Sequence, residues 1–258
     1  MDLGISGKKA IVCAASKGLG FGCAQQLSEA GVDLVICARS EAPLNNAATL
    51  LRKTGVTVDV VACDITTSEG QNAVLDAAGE VDILISNAGG PPPGHWSNWD
   101  RDDFLTAVDA NMLTPIALMT AVLPGMKARG WGRIVNITSQ SVKAPIAALG
   151  LSNTARTGLT GFVAGVSRDV APYGVTINNL LPGAHDTDRI AALDQSLAAS
   201  KGIDIDVVRS AKFDTIPARR YGTKEEFGAM CAFLCSQHAG YIVGQNILLD
   251  GGGINATI

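Results

Sequence analysis

The residues Cys13-Ala14-Ala15-Ser16-Lys17-Gly18-Leu19-Gly20 join an apolar β-type run, Lys9 to Ala14, to a helical run, Phe21 to Ala30. A strand that passes through small residues and glycines straight into a helix lets the backbone turn tightly. It also leaves the first N–H groups of the helix free to meet an anion such as a pyrophosphate. Outward from this turn, short apolar runs alternate with longer helical stretches. The further strand-like runs are Val32 to Ala38, Val56 to Ala62, Val81 to Ser86, Gly132 to Thr138, Val175 to Leu181 and Gln245 to Leu249. Most are apolar at consecutive positions, as strands covered by helices on both faces are. Strand-helix alternation requires right-handed crossovers, so the expected fold is α/β: a single Rossmann-type, doubly wound, parallel seven-stranded sheet with helices on both faces. No linker divides the 258 residues, and the chain reads as one domain over 1–258.

Composition narrows the function classes. Hydrophobic residues make up 47% and charged residues 17%, enough for a large core. The net charge of −4 and the lack of a Lys/Arg cluster give no footprint for nucleic acid or for an anionic membrane surface, so a small molecule is the expected ligand. Met1 to Lys9 lacks the order of a signal peptide, and no apolar run reads as long enough to span a bilayer; a cytoplasmic protein is expected. The six cysteines are scattered and read as core thiols, and no metal site is expected, since Cys231 and Cys235 find no further ligands nearby.

In doubly wound sheets, ligands bind beyond the carboxyl ends of the strands, and the remaining motifs fall there. The second strand ends Cys37-Ala38-Arg39-Ser40 with no acid for ribose hydroxyls. Arg39 and Lys17 instead offer two cations for a 2′-phosphate, so NADP(H) is expected in preference to NAD(H). Asp64, followed by Ile65, closes the third strand and is placed to accept from an adenine amino group. Asn87-Ala88-Gly89 after the fourth puts small residues where backbone must pass close to a ring, although turn chemistry alone also explains these residue types. The Pro-rich segment Gly89 to Trp99, with His95 and Trp96, reads as a stiff loop bordering a pocket. Ala184 to Pro217 reads as a long substrate loop before the next helix.

Taken together, the Gly18/Gly20 turn, Asp64, Asn87-Ala88-Gly89, Asn111, Ser139, Asn178, Pro182-Gly183, Thr187 and Asp250-Gly251-Gly252 resemble the short-chain dehydrogenase/reductase family over essentially the whole chain. The resemblance implies a nicotinamide cofactor contacted by Ala14, Ser16, Lys17, Gly18, Leu19, Gly20, Pro182, Gly183 and Thr187. It also implies a homotetramer or homodimer. In that family a serine holds the substrate oxygen, a tyrosine exchanges a proton with it, a lysine one turn further lowers the tyrosine's pKa and binds ribose, and a helical asparagine completes a proton relay. Ser139 and Asn111 match the serine and asparagine; Ser152 and Arg156 stand at the tyrosine and lysine, and Ala14 replaces the first glycine of the turn.

These departures bear on mechanism. A serine hydroxyl titrates far above the tyrosine value of about 10, so Ser152 can donate a hydrogen bond or pass a proton along a chain but is a poor primary acid. Arg156, one turn beyond, can hold ribose or an oxyanion with its fork. His185, His95, Lys143 and Gln140 are further pocket candidates, with His185 the first choice for a proton donor near neutral pH. The leading expectation is an NADP(H)-dependent enzyme interconverting a carbonyl and an alcohol. Two others stay open: a nucleotide-binding protein without turnover, and a non-redox lyase or dehalogenase-like enzyme on the same scaffold.

Overall fold

The computed structural model describes residues 1–256. Its strands are β1 (Lys9–Cys13), β2 (Asp33–Ala38), β3 (Val58–Ala62), β4 (Ile83–Ser86), β5 (Gly132–Ile137), β6 (Val175–Pro182) and β7 (Asn246–Leu249). They form one sheet in the order β3-β2-β1-β4-β5-β6-β7, every neighbouring pair parallel. The strand order reverses between β1 and β4, which opens a crevice at their carboxyl ends. Each expected strand is present within two residues of its expected limits, because a run of buried Val, Ile and Leu leaves little choice of boundary.

Two apolar layers cover the sheet. On one face α1 (Gly18–Glu29), α2 (Glu41–Leu51) and α9 (Lys224–Cys235) pack over Ile5, Val12, Leu34 and Ile36; on the other, Ile11, Leu84, Ile134 and Ile177 meet Leu118, Met126, Leu159 and Val163. Helices α1 and α9 approach closely at Gly22 and Gly228. A Cβ on Gly22 would lie 2.3 Å from the carbonyl oxygen of Lys224, and one on Gly228 would lie 2.2 Å from that of Gly22. The cysteines are free thiols, all buried except the half-buried Cys63.

A polar ladder crosses this apolar sheet. Ser86 Oγ donates to Asn136 Oδ1 at 2.5 Å, Asn136 Nδ2 to Asn179 Oδ1 at 3.2 Å, and Asn179 Nδ2 to Asn246 Oδ1 at 2.8 Å. These four residues are in register on β4, β5, β6 and β7, so each buried amide is satisfied by its neighbour and fixes strand alignment next to the crevice.

Two sequence readings are corrected. The segment Ala184 to Pro217 is not an irregular loop: it folds as α7 (Asp188–Lys201) and α8 (Ile205–Thr215), capped by Thr187 and Asp204. Ahead of β5, α4 (Arg101–Val108) and α5 (Thr114–Arg129) are joined by a π-turn, Asp109–Leu113, that carries Asn111. Finally, Arg101–Arg129 as a unit is long and apolar enough to cross a membrane by length and composition, with a mean hydropathy of 1.4. It lies against β4, β5 and α6 (Gly150–Val170), as a core helix of a layered α/β fold does.

Candidate functional site

A cleft of about 450 Å³ opens at the carboxyl ends of β1, β4, β5 and β6. The Gly18 turn lines one end of it, and Ser139, Ser152 and Arg156 line the other, with Asn87 to Gly90 and Pro182 to Thr187 between them. Ala14, Lys17, Gly18 and Leu19 of the expected cofactor turn thus share one cavity with Ser139, Ser152 and Arg156, whereas Ser16, Gly20, Arg39, Asp64, Ile65 and Asn111 do not line it.

At the turn, Gly18 has φ +59° and starts α1 with no side-chain cap and no acidic residue in the first turn, which leaves its N–H groups free for an anion. Gly20 is required by close approach: a Cβ there would lie 2.3 Å from Ala14 O and 3.0 Å from Asn87 Nδ2. Ala14 adopts φ 52°, a left-handed conformation that glycine takes without strain and alanine does not. The backbone thus keeps the conformation a glycine would give while carrying a methyl group. These features fit a dinucleotide pyrophosphate: a narrow turn, unused N–H donors and no competing carboxylate in the first helical turn.

Lys17 and Arg39 differ in availability. Lys17 Nζ is 2.8 Å from Asp188 Oδ2 across the mouth of the cleft, with both side chains largely exposed. Arg39 is exposed at the end of β2 and makes no ion pair among the described residues. Asp64 is exposed beside it and accepts from Thr66 N at 3.0 Å and Thr66 Oγ1 at 2.8 Å; these bonds, with a smaller contribution from Arg39, hold its carboxyl below the ordinary value. Ile65 is buried behind it.

At the other end, Arg156 is 7% exposed. Its Nε donates to Ser152 Oγ at 3.1 Å and its Nη1 donates to the carbonyl of Ile137, the last residue of β5, at 2.8 Å. Burial, with a smaller contribution from Arg189, pushes the guanidinium pKa down to about 10. Ser139 caps a short turn, Gln140–Val142, by accepting from Ser141 N at 3.1 Å. The oxygens of Ser139 and Ser152 are each occupied by an N–H donor, so both hydroxyl hydrogens remain to be donated into the cleft. Asn111, on the π-turn, donates to Gly89 O at 3.5 Å and Ala107 O at 3.3 Å, and its buried Oδ1 has no partner among the described residues. An orphaned acceptor here is a place for a water or ligand donor.

The pocket candidates separate. Gln140 and His185 line the cleft, whereas His95, Trp96 and Lys143 do not. His95 accepts from Ser97 N as the cap of the turn Trp96–Asn98, Trp96 is 73% exposed, and Lys143 is exposed beyond the Ser139 turn. The Pro-rich loop is instead anchored by Trp99, whose ring fills the space beside Gly94 and Gly150, with Gly94 N donating to Ala148 O at 2.9 Å. His185 is buried edge-on to Phe227 at 5.2 Å, and burial lowers its pKa, so it is neutral at pH 7. Arg189 was not singled out in the sequence because it belongs to no motif. In the structure it lines the cleft, lying over Gly90.

Comparison with known proteins agrees with this geometry. A family model described as Enoyl-(Acyl carrier protein) reductase matches residues 13–253. The 3-oxoacyl-(acyl-carrier-protein) reductase of Vibrio cholerae is 32% identical over 256 residues, covering 97% of this chain and 98% of that protein. Acetoacetyl-CoA reductase of Cupriavidus necator is 36% identical over 69% of this chain and 68% of its own length. Among solved structures, L-sorbose reductase from Gluconobacter frateurii, complexed with NADPH and L-sorbose, superposes with a TM-score of 0.95 at 29% identity, over 99% of this chain and 100% of that one.

Proposed function

This chain belongs to the short-chain dehydrogenase/reductase family and is an oxidoreductase, and we propose that it uses NADP(H) to interconvert a carbonyl and an alcohol on a small molecule with an active site built from Ser139, Ser152 and Arg156. The observation that carries this reading is the Arg156–Ser152 pair: a buried cation bonded to a hydroxyl, on the wall of the cleft that also holds the Gly18 turn.

A nicotinamide dinucleotide bound in this cleft would supply or accept the hydride. The Gly18–Gly20 turn and the N-terminus of α1 would hold its pyrophosphate, Arg39 and Lys17 a 2′-phosphate, and Asn87 to Gly89 with Pro182 to Thr187 the remainder. Preference for the phosphorylated form rests on the two cations and on the end of β2, where Ala38-Arg39-Ser40 carries no acid. The NADPH bound by the sorbose reductase agrees with it.

The side chains then divide the work on the substrate oxygen. Ser139 and Ser152 donate from hydroxyls whose own oxygens are fixed by N–H groups, and Arg156 supplies the charge that offsets an oxyanion. Preset donors stabilise developing negative charge without reorganising. Ser152 passes a proton only if its oxygen is resupplied from solvent; Arg156 Nε–H at 3.1 Å holds the hydroxyl in place and keeps its own proton, and with it the charge. His185, neutral and packed against Phe227, is a wall of the site rather than its acid.

The test is absorbance at the NADPH band with a chemically diverse carbonyl panel. Oxidation of NADPH by any member supports the assignment, and inertness throughout counts against it. The second reading, nucleotide binding without turnover, is favoured by one fact: Tyr173, Tyr221 and Tyr241 all lie outside the cleft lining. Tight NADPH binding in an inert protein would establish it. Family resemblance further supports a homotetramer or homodimer, which light scattering on the purified chain would decide.

A further inference from the structure

The charges of the cleft do not balance, and the excess lies away from the Gly18 turn. Its lining holds three cations, Lys17, Arg156 and Arg189, and one carboxylate, Asp188. Lys17 and Asp188 neutralise each other at 2.8 Å. Arg156 and Arg189 remain, in a chain whose net charge is −4. Neither has a carboxylate partner among the described residues.

Of the two, Arg156 is costly to hold without an anion, because it is buried, while Arg189 is exposed and simply lacks a carboxylate partner. Arg156 is buried, and of its guanidinium only Nε and Nη1 are hydrogen-bonded, to Ser152 and Ile137; Nη2 makes no hydrogen bond among the described residues. Arg189 is kept over Gly90, where a Cβ would lie 2.5 Å from Nη1, and its one hydrogen bond is a long 3.4 Å contact to the carbonyl of Pro91. Arg189 adds, after burial, to what lowers the Arg156 pKa, as a like charge on the same cleft does. Two forks without carboxylate partners on the wall of a mostly apolar cleft form a site complementary to a planar oxyanion, and a bound carboxylate would supply the counter-charge that the buried Arg156 lacks.

We infer that Arg189, which lines the same cleft as Arg156, forms an anion subsite that selects substrates bearing a carboxylate next to the reacting carbonyl or alcohol, that is, 2-keto or 2-hydroxy acids. The inference rests on the functional reading above for which carbon reacts, but the anion subsite itself can be tested without turnover. Gly90 makes room for this: a Cβ there would collide with the Arg189 fork, 2.5 Å from Nη1 and 2.9 Å from Nη2.

The experiment is calorimetric titration of the full chain, saturated with NADP+, with oxalate and with its uncharged counterpart oxamide, for the wild type and for Arg189→Gln. Arg189 is exposed, so the variant is expected to fold. Expected results are binding of oxalate but not oxamide, about a tenfold or greater loss of oxalate affinity in R189Q, and an unchanged Kd for NADP+. Equal binding of oxamide, no binding of oxalate, or oxalate affinity unaltered in R189Q would overturn the subsite. A weakened NADP+ affinity with oxalate unaffected would assign Arg189 to the cofactor phosphates instead. Failure of NADP+ itself to bind sinks the cofactor reading alone, since the same oxalate comparison on nucleotide-free protein still decides the subsite.

Discussion

Arg156 Nε lies 3.1 Å from Ser152 Oγ, one helical turn apart on α6, and the contact fixes which way the serine hydroxyl can donate. A lysine at the same position would offer a point charge; arginine adds a planar fork that reaches the serine and the end of β5 together. The arrangement sacrifices stability for chemistry, because the charge is buried without a carboxylate.

That conflict can be measured. Arg156→Met should raise stability by about 1 kcal/mol in urea melts, since an isolated buried charge is exchanged for an apolar chain of similar length. It should also lower kcat by about 10²-fold or more. Ser152→Ala should lower kcat by a smaller factor with the fold intact. Parallel loss of stability and activity in R156M would show that Arg156 is simply structural.

The pH profile follows from the same group. Burial and then Arg189 push Arg156 down to about 10, so kcat/KM should fall through an alkaline limb near pH 10 as the cation is lost. Arg189→Gln removes one cause of the shift and should move that limb upward. At the acid end, burial lowers His185, so the unfolded chain takes up its proton first as pH drops below about 6.5. Stability should therefore fall in that range, and His185→Gln should flatten the decline.

How much of this was legible in the sequence depended on what kind of signal each feature leaves. The strands were readable because consecutive buried apolar residues mark a sheet covered on both sides. Ser139, Ser152 and Arg156 were singled out only through the resemblance to the family, which ties them to fixed positions along the chain, whereas the Gly18 turn was readable because glycines between a strand and a helix leave a recognisable local pattern. Helices α7 and α8 were not, because their exposed faces leave a weak apolar period in a segment that looks like loop. Nor was Arg189, whose importance comes from lying over Gly90. The misplacement of His95 and Trp96 has a local cause: a loop's sequence does not show which of its aromatic residues turns inward, and here it is Trp99 that packs against Gly150.

Cofactor choice should depend on Arg39 more than on Lys17. Breaking the exposed Lys17–Asp188 pair costs little, about 0–1 kcal/mol, so Lys17 can be redirected to a phosphate but is not preset for it. Arg39→Ala should weaken NADPH binding by about 10- to 100-fold, the value of a charge-assisted hydrogen bond, and leave NADH nearly unchanged. Equal effects on both cofactors would mean that Arg39 stacks on adenine rather than holding a phosphate.

Ala14 offers a test of backbone strain. Its φ of 52° costs about 1 kcal/mol for a residue with a Cβ, partly offset by alanine's smaller entropy in the unfolded chain. Ala14→Gly should therefore be neutral or stabilising by about 0.5 kcal/mol, whereas most Ala→Gly changes destabilise. Gly20→Ala should do the opposite. Its Cβ would meet the carbonyl of Ala14 at 2.3 Å, and loss of NADPH binding in a destabilised protein is the expected result.

The cap formed by α7 and α8 is joined to the body through Asp194, which is fully buried on α7. Its carboxylate is bonded to Lys212 Nζ, accepts from Tyr221 OH at 3.0 Å and lies 3.5 Å from Arg209 Nε, so one acid gathers three groups from α8 and the loop beyond it. Asp194→Ala leaves a buried phenol without its acceptor and two cations that can only partly return to water, a loss of about 2–3 kcal/mol. Because α7 lines the cleft through Arg189, Ile190 and Leu193, the loss should be local. Hydrogen exchange should accelerate in 188–215 before the sheet opens, and KM should rise while the Kd for NADPH holds. Uniform exchange across the whole chain would mean instead that the cap and the sheet unfold as one unit.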